Sequence, residues 1–208
     1  MSHPWLLLTL LSTALAFTSC AAGPPAQNAA VDPGDARLLA IHLVKPQSQE
    51  PIVVTSKSFA PSAEIPYTYS DYGDNISPQL AWRGAPKEAK SIVILMEDPD
   101  AKQPKPFVHW VLYNLPPSVT SLHEAIPPEM QLIGLSKSLQ GMNSRGSVGY
   151  FGPRPPYEDA AHHYHFQVFA LDRMLELPPG VDRATLLTEM HGHVLSSGEL
   201  FGTYKAAK

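Results

Sequence analysis

An imidazole set among large apolar side chains must find a hydrogen-bond partner, because burial strips it of water. His109 is in that position, inside the run FVHWVLYNL at 107–115, and taken alone it reads first as a core histidine whose partner the fold supplies. The nearest acidic candidates are Asp98 and Asp100 of Asp98-Pro99-Asp100, which follow an apolar stretch where a strand end can bring carboxylates to a pocket rim. A second group of histidines, in HHYHFQVFALD at 162–172, alternates with a period of two. That period puts His162, Tyr164, Phe166 and Val168 on one face and His163, His165 and Gln167 on the other. The first face is core-like, so His162 and Tyr164 stand at the end of an apolar row, the arrangement expected where a core opens into a pocket with a polar mouth. His163 and His165 are expected to face solvent.

Ahead of that second group lies GMNSRGSVGYFGPRPP at 141–156. Its glycines permit backbone angles that can turn N–H groups toward an anion, and its prolines stiffen it. A plain connecting loop is an equal reading, since no helix follows to complete a phosphate cradle.

The elements that would position these groups are visible as short apolar runs at 38–44, 52–55, 79–82, 91–96, 107–115 and 162–171, separated by turns rich in Pro, Gly, Asn and Asp. The runs at 91–96 and 107–115 are almost continuously apolar, which marks strands covered on both faces and therefore central. One helix is expected: Asp182 caps it, Leu187, Met190 and Val194 share a stripe, and Gly198 ends it. Residues 199–204 then return as a last strand or dock as a tail. The 22 prolines and 13 glycines among 208 residues favour short elements joined by turns, which leans toward β architecture. With 44% hydrophobic and 16% charged residues the chain can bury one substantial core, hence one domain. A formal charge of −4 leaves no basic excess to neutralise a phosphate backbone, which sets nucleic acid aside as a partner.

The N-terminus has its own organisation. Residues 6–17 are apolar, too short to span a bilayer and followed by small residues, so 1–19 is expected to be a signal peptide, although residues 1–5 carry no Lys or Arg. Cys20 is the single cysteine, which excludes an internal disulfide. The run FTSC at 17–20 resembles a bacterial lipobox, with Phe17 where an aliphatic residue is usual; acylation of Cys20 and simple cleavage are equal alternatives. Residues 20–36, rich in Ala, Gly and Pro, read as a flexible tether, and 37–208 as the folded domain. The expected location is outside the cytoplasm, periplasmic or held at a membrane only through a lipid on Cys20.

Six stretches together resemble the phosphatidylethanolamine-binding proteins, in particular their bacterial Raf kinase inhibitor-like branch: GDNISPQLAW at 73–82, EDPDA at 97–101, FVHWVLYNLP at 107–116, GYFGPRPP at 149–156, HHYHFQVFALD at 162–172 and GHVLSSGELFGTY at 192–204. The resemblance implies a mainly β fold, a two-sheet antiparallel β-sandwich with a few peripheral helices. It also implies a small pocket for phosphate-like anions or a phosphoethanolamine head group. Carried over residue by residue, that pocket comprises Asp98, His109, His162 and Tyr164, supported by Asp100, Pro153 and Pro156. Arg154 stands where that branch often has cysteine; it is an added cation for an anion or a solvated loop arginine.

The reading that follows is a non-catalytic binder of a small phosphorylated or phospholipid head-group ligand, without cofactor. By resemblance it extends to a kinase or protease as protein target. One carboxylate beside two histidines suits a zwitterion or a histidine-bridged anion better than a polyanion. The alternative is a metal-dependent hydrolase in which Asp98, His109 and His162 form a two-histidine, one-carboxylate set. Against it, no HExxH spacing occurs, and His191 and His193 lie two apart on the expected helix and share no face. No GxSxG elbow supports a serine hydrolase.

Overall fold

The computed structural model describes Met1 and residues 35–207. Apart from Met1, the expected signal segment lies outside the described residues, as do Cys20 and all but the last two residues of the expected tether. Asp35 caps a short 3-10 helix, Ala36–Leu38, accepting from Arg37 N–H at 2.9 Å. A single helical turn follows, α1 (Ala40–Leu43).

The strand expected at 38–44 is therefore absent. A short apolar run has no period of its own to distinguish strand from helix. Here the helical turn buries Leu39, Ala40 and Val44 and frees two backbone N–H groups for side chains rather than for a strand ladder. Ala40 donates to Glu97 Oε2 at 2.8 Å and Ile41 to Gln167 Oε1 at 2.7 Å. Glu97 is fully buried, and it also accepts from Gln167 Nε2 at 2.8 Å and from Arg183 Nε.

Among the described residues there are nine strands: β1 (Val53–Thr55), β2 (Leu80–Arg83), β3 (Ser91–Asp98), β4 (Phe107–Leu115), β5 (Ser121–Leu122), β6 (Gln131–Leu132), β7 (Ser138–Gln140), β8 (His162–Leu171) and, after helix α2 (Arg183–Met190), β9 (Val194–Tyr204). Strands β1 to β4 and β8 follow expected runs, β5 to β7 do not, and β9 is longer than the last strand expected at 199–204. They form two antiparallel sheets, one of three strands ordered β1-β2-β5 and one of six ordered β6-β7-β4-β3-β8-β9. The fold is mainly β, as the sequence implies.

The continuous hydrophobicity of β3 and β4 has a direct explanation in the two cores. Ile92, Ile94 and Met96 join Leu80, Trp82, Phe166 and Val168 between the sheets. The alternate residues Val93 and Leu95 pack on the opposite face against Ala40, Val44, Leu186 and Met190 from the two helices. Both faces of the central strands are dry, so neither carries the polar alternation of a solvated sheet.

Asp182 caps α2 as expected, accepting from Thr185 N–H at 2.8 Å. The helix ends at Met190, however, not at Gly198. Gly192 takes a left-handed φ of +80° just past the end, and Val194 begins β9. The long ladder offered by β8 wins over helix continuation, pairing Leu171 with Val194 through to His162 with Tyr204. The buried residues of α2 are Leu186 and Met190, with Leu187 partly buried.

Gly198 instead lets β9 pass close to the segment before β1, where an added Cβ would meet Ile52 O at 1.7 Å. We expect Gly198→Ala to lower the stability of the domain by about 2–3 kcal/mol, because the clash is with backbone that cannot swing aside. Chemical denaturation checks this; a midpoint unchanged from wild type refutes the tight approach.

Candidate functional site

Three neighbouring strands bring their ends to one place: β3 ends at Asp98, β4 begins at Phe107 opposite it, and β8 begins at His162. β4 carries an irregularity there. Met96 pairs with Trp110 and Glu97 with Val108, so His109 is the extra residue of a bulge. A bulge re-aims one side chain without ending the strand, and here it turns the imidazole out of strict alternation toward the strand ends. A second register shift nearer the end of β4 accompanies Asn114, whose φ is +59°.

The partner of His109 is not an aspartate. Its Nδ1 donates to the carbonyl of Phe151 at 2.6 Å, and the same residue's N–H donates to His109 O at 2.9 Å. A carbonyl can only accept, so Nδ1 carries the proton and Nε2 is left with a lone pair. Burial, opposed mainly by the charge of Asp98, pulls the pKa of His109 down to about 4, and the ring is neutral near pH 7.

Asp98 is engaged by others. Its Oδ2 accepts from His162 Nδ1 at 2.8 Å and its Oδ1 from Asp100 N–H at 2.8 Å. Burial works against a charged His162, but the hydrogen bond and charge of Asp98, helped by Asp100 and Asp159, outweigh it and raise the pKa above its ordinary value. The two histidines thus differ in kind: His162 favours imidazolium, and His109 is an uncharged acceptor.

The hollow beside these groups measures about 190 Å³. Asp98, His109, His162 and Pro156, four of the residues carried over by resemblance, line it. Tyr164 lies against both histidines, edge-on to His109 at 5.1 Å and stacked at 6.4 Å on His162. It is fully buried, its hydroxyl makes no well-formed hydrogen bond among the described residues, and burial drives its pKa so far up that it stays protonated.

Tyr164, Asp100 and Pro153 do not line the hollow. Asp100 turns outward and accepts from His163 N–H at 2.7 Å and Nδ1 at 2.8 Å. Pro153 is buried, with its carbonyl accepting from Asp71 N–H at 3.0 Å. The expected solvent-facing histidines divide: the His163 side chain is 48% exposed, but His165 is mostly covered, paired with Glu199 and stacked on Phe201 at 5.4 Å.

The loop at 141–156 contributes side chains rather than a backbone cradle. The N–H groups of Arg145, Gly146, Ser147, Phe151 and Gly152 all donate to acceptors within the protein. Arg145 lies over the Phe151 ring at 4.8 Å and has no ion pair among the described residues. Arg154 pairs with Asp71 and covers Tyr72 at 5.2 Å. Both arginines line the hollow, with Lys102 and Asp159, which are joined to each other by a salt bridge. Lys102, Arg145 and Asp159 were not anticipated; a lone charge in a turn carries no periodic signal.

Among the described residues, no three His, Cys, Asp or Glu side chains converge as a metal site would require. The geometry thus lends no support to the hydrolase alternative, and both Nδ1 atoms are already committed.

A family model described as phosphatidylethanolamine-binding protein matches residues 55–205. The chain belongs to the phosphatidylethanolamine-binding protein family. A UPF0098 protein of Methanothermobacter thermautotrophicus is 43% identical over 148 residues, covering 71% of this chain and 95% of its own length. Among solved structures, a putative phosphatidylethanolamine-binding protein homologue from Chlamydia trachomatis superposes with a TM-score of 0.67 at 38% identity, covering 76% of this chain and 99% of that one. An Escherichia coli protein, YbcL, described as a new member of the mammalian branch of the family, also gives 0.67, at 26% identity over 75% of this chain and 99% of its own.

The two histidines of this family member should tilt stability in opposite directions. His162, with a raised folded pKa, stabilises fully below the unfolded value of 6.5 and loses that contribution as pH rises through the folded one. His109 does the reverse: between pH 6.5 and about 4 the unfolded chain takes a proton that the folded chain refuses, costing about 3 kcal/mol across that interval. Denaturation midpoints measured from pH 4 to 8 should show His109→Gln losing less stability on acidification than wild type; parallel curves refute the neutral, buried assignment.

Proposed function

We propose that this family member is a non-catalytic binding protein whose hollow takes a small phosphate-bearing group, free or as a phospholipid head group. The observation that carries the reading is the Asp98–His162 pair lining one small hollow with Arg145: the carboxylate pushes the imidazole toward its charged form, and the guanidinium has no ion pair among the described residues. Charge-assisted donors of this kind favour an oxyanion.

Size and lining agree with it. A volume of about 190 Å³ is below that of pockets for drug-sized ligands, which suits a head group. Phe107, Phe151, Pro155 and Pro156 give the hollow apolar walls. The lone pair on His109 Nε2 adds an acceptor, suited to a protonated phosphate oxygen or to an ammonium. Donors and acceptors in one hollow fit a zwitterion, and no serine, threonine or cysteine lines it to act as a nucleophile.

Calorimetry with inorganic phosphate and with phosphoethanolamine tests the assignment and separates free anion from head group. His162→Ala and Arg145→Ala should each weaken binding about tenfold or more with the near-ultraviolet spectrum unchanged, since neither side chain fills the core. Unaltered affinity in both variants overturns the reading.

We further propose export with a lipid on Cys20, supported by the apolar run at 6–17 and the cysteine that follows it. Cys20→Ser should then move the chain from the membrane fraction to the soluble fraction; a wild-type chain found soluble refutes the anchor.

A further inference from the structure

His162 has two ring nitrogens, and each faces a carboxylate. Nδ1 donates to Asp98 Oδ2 at 2.8 Å, while Nε2 stands 3.5 Å from Asp159 Oδ2. The two contacts are unequal. Asp98 is fixed by the end of β3 and by the Asp100 N–H. Asp159 lies on the turn at 156–161, where the other five residues are exposed. Its side chain is nevertheless turned inward and only 9% exposed. One oxygen accepts from Lys102 Nζ; the other, which faces His162 Nε2, is buried and makes no well-formed hydrogen bond among the described residues. A carboxylate on a surface turn gives up hydration only where cations hold it, and those cations are Lys102 and His162, both lining the hollow.

We propose that Asp159 is a resident substitute for the ligand's anionic group: it spans His162 Nε2 and Lys102 Nζ in the free protein, and an entering phosphate group displaces it and takes both donors. The proposal rests on reading the hollow as an anion site and names the residue that decides which anions enter. His162 Nδ1 stays with Asp98 throughout, so the ring keeps its orientation while its other nitrogen changes partner. Lys102, with 74% of its side chain exposed, is free to follow the incoming group. Arg145, lacking an ion pair among the described residues, offers the first contact before the exchange. A phosphate group brings more oxygens and charge than one carboxylate and wins the exchange. A ligand bearing only a carboxylate offers no more than Asp159 already does and is kept out.

The test is calorimetric titration of full-length wild type, Asp159→Asn and Asp159→Ser with inorganic phosphate. Both variants remove the competing charge, and the serine guards against an effect peculiar to asparagine. Phosphate should bind both about fivefold tighter than wild type, and acetate should displace it from the variants but not from wild type. A gain in affinity is not what loss of a merely structural residue produces. The gain should persist in ~1 M salt, where through-space repulsion is screened to a few ångströms; a gain that vanishes there is charge removal alone and overturns the proposal. Equal or weaker phosphate binding by both variants, or acetate displacing phosphate from wild type equally well, overturns it and leaves the anion site standing. Phosphate binding to none of the three proteins overturns both.

Discussion

The hydrogen bond between Asp98 and His162 joins the end of one central strand to the start of its neighbour, and the character of the pocket follows from it. Without Asp98 the buried imidazole would be pushed toward its neutral form, because desolvation opposes its charge. With it, the ring is held in one orientation and pushed toward its charged form. Asp98 is in turn held by the backbone of Asp100, and Asp100 by His163 on the surface. A chain of hydrogen bonds thus runs from solvent to the floor of the site, and each member fixes the next.

The bulge in β4 answers a different need. A regular strand would send His109 into strict alternation with Val108 and Trp110, yet Trp110 is wanted in the inter-sheet core and Val108 on the opposite face. One additional residue satisfies all three. The backbone of Phe151, 42 positions along the chain, then sets which nitrogen carries the proton. The two histidines are therefore pushed in opposite directions: burial wins at His109, and the hydrogen bond and charge of Asp98 win at His162.

Much of this arrangement is legible in the sequence, where a periodic signal exists. The central strands show in unbroken apolar runs, and the alternation in 162–172 places His162 and Tyr164 toward the core. Asp98 shows as an acid at a strand end. What escapes has no period. The helical turn at 40–43 looks like any short apolar run, and only the side chains of Glu97 and Gln167 decide for it. The end of α2 is settled by the ladder available on β8, a long-range effect. Arg145, Lys102 and Asp159 are turn residues placed by long-range contacts: Lys102 and Asp159 by their mutual ion pair, Arg145 by the Phe151 ring. The same alternation that placed His163 outward misjudges His165, because Phe201 and Glu199 of the adjoining strand close over it.

Glu97 and Asp98 are consecutive on β3, and their side chains leave the strand on opposite sides. One grips the backbone of Ala40, the amide of Gln167 and the guanidinium of Arg183; the other grips His162. A single peptide unit therefore separates the fastening of the chain's N-terminal segment from the acid of the binding hollow. Loss of that fastening would leave a fully buried carboxylate short of the Ala40 N–H it accepts from, a costly state. Asp98 shares that backbone, so traction on the segment before α1 would be felt at the hollow with little slack between them.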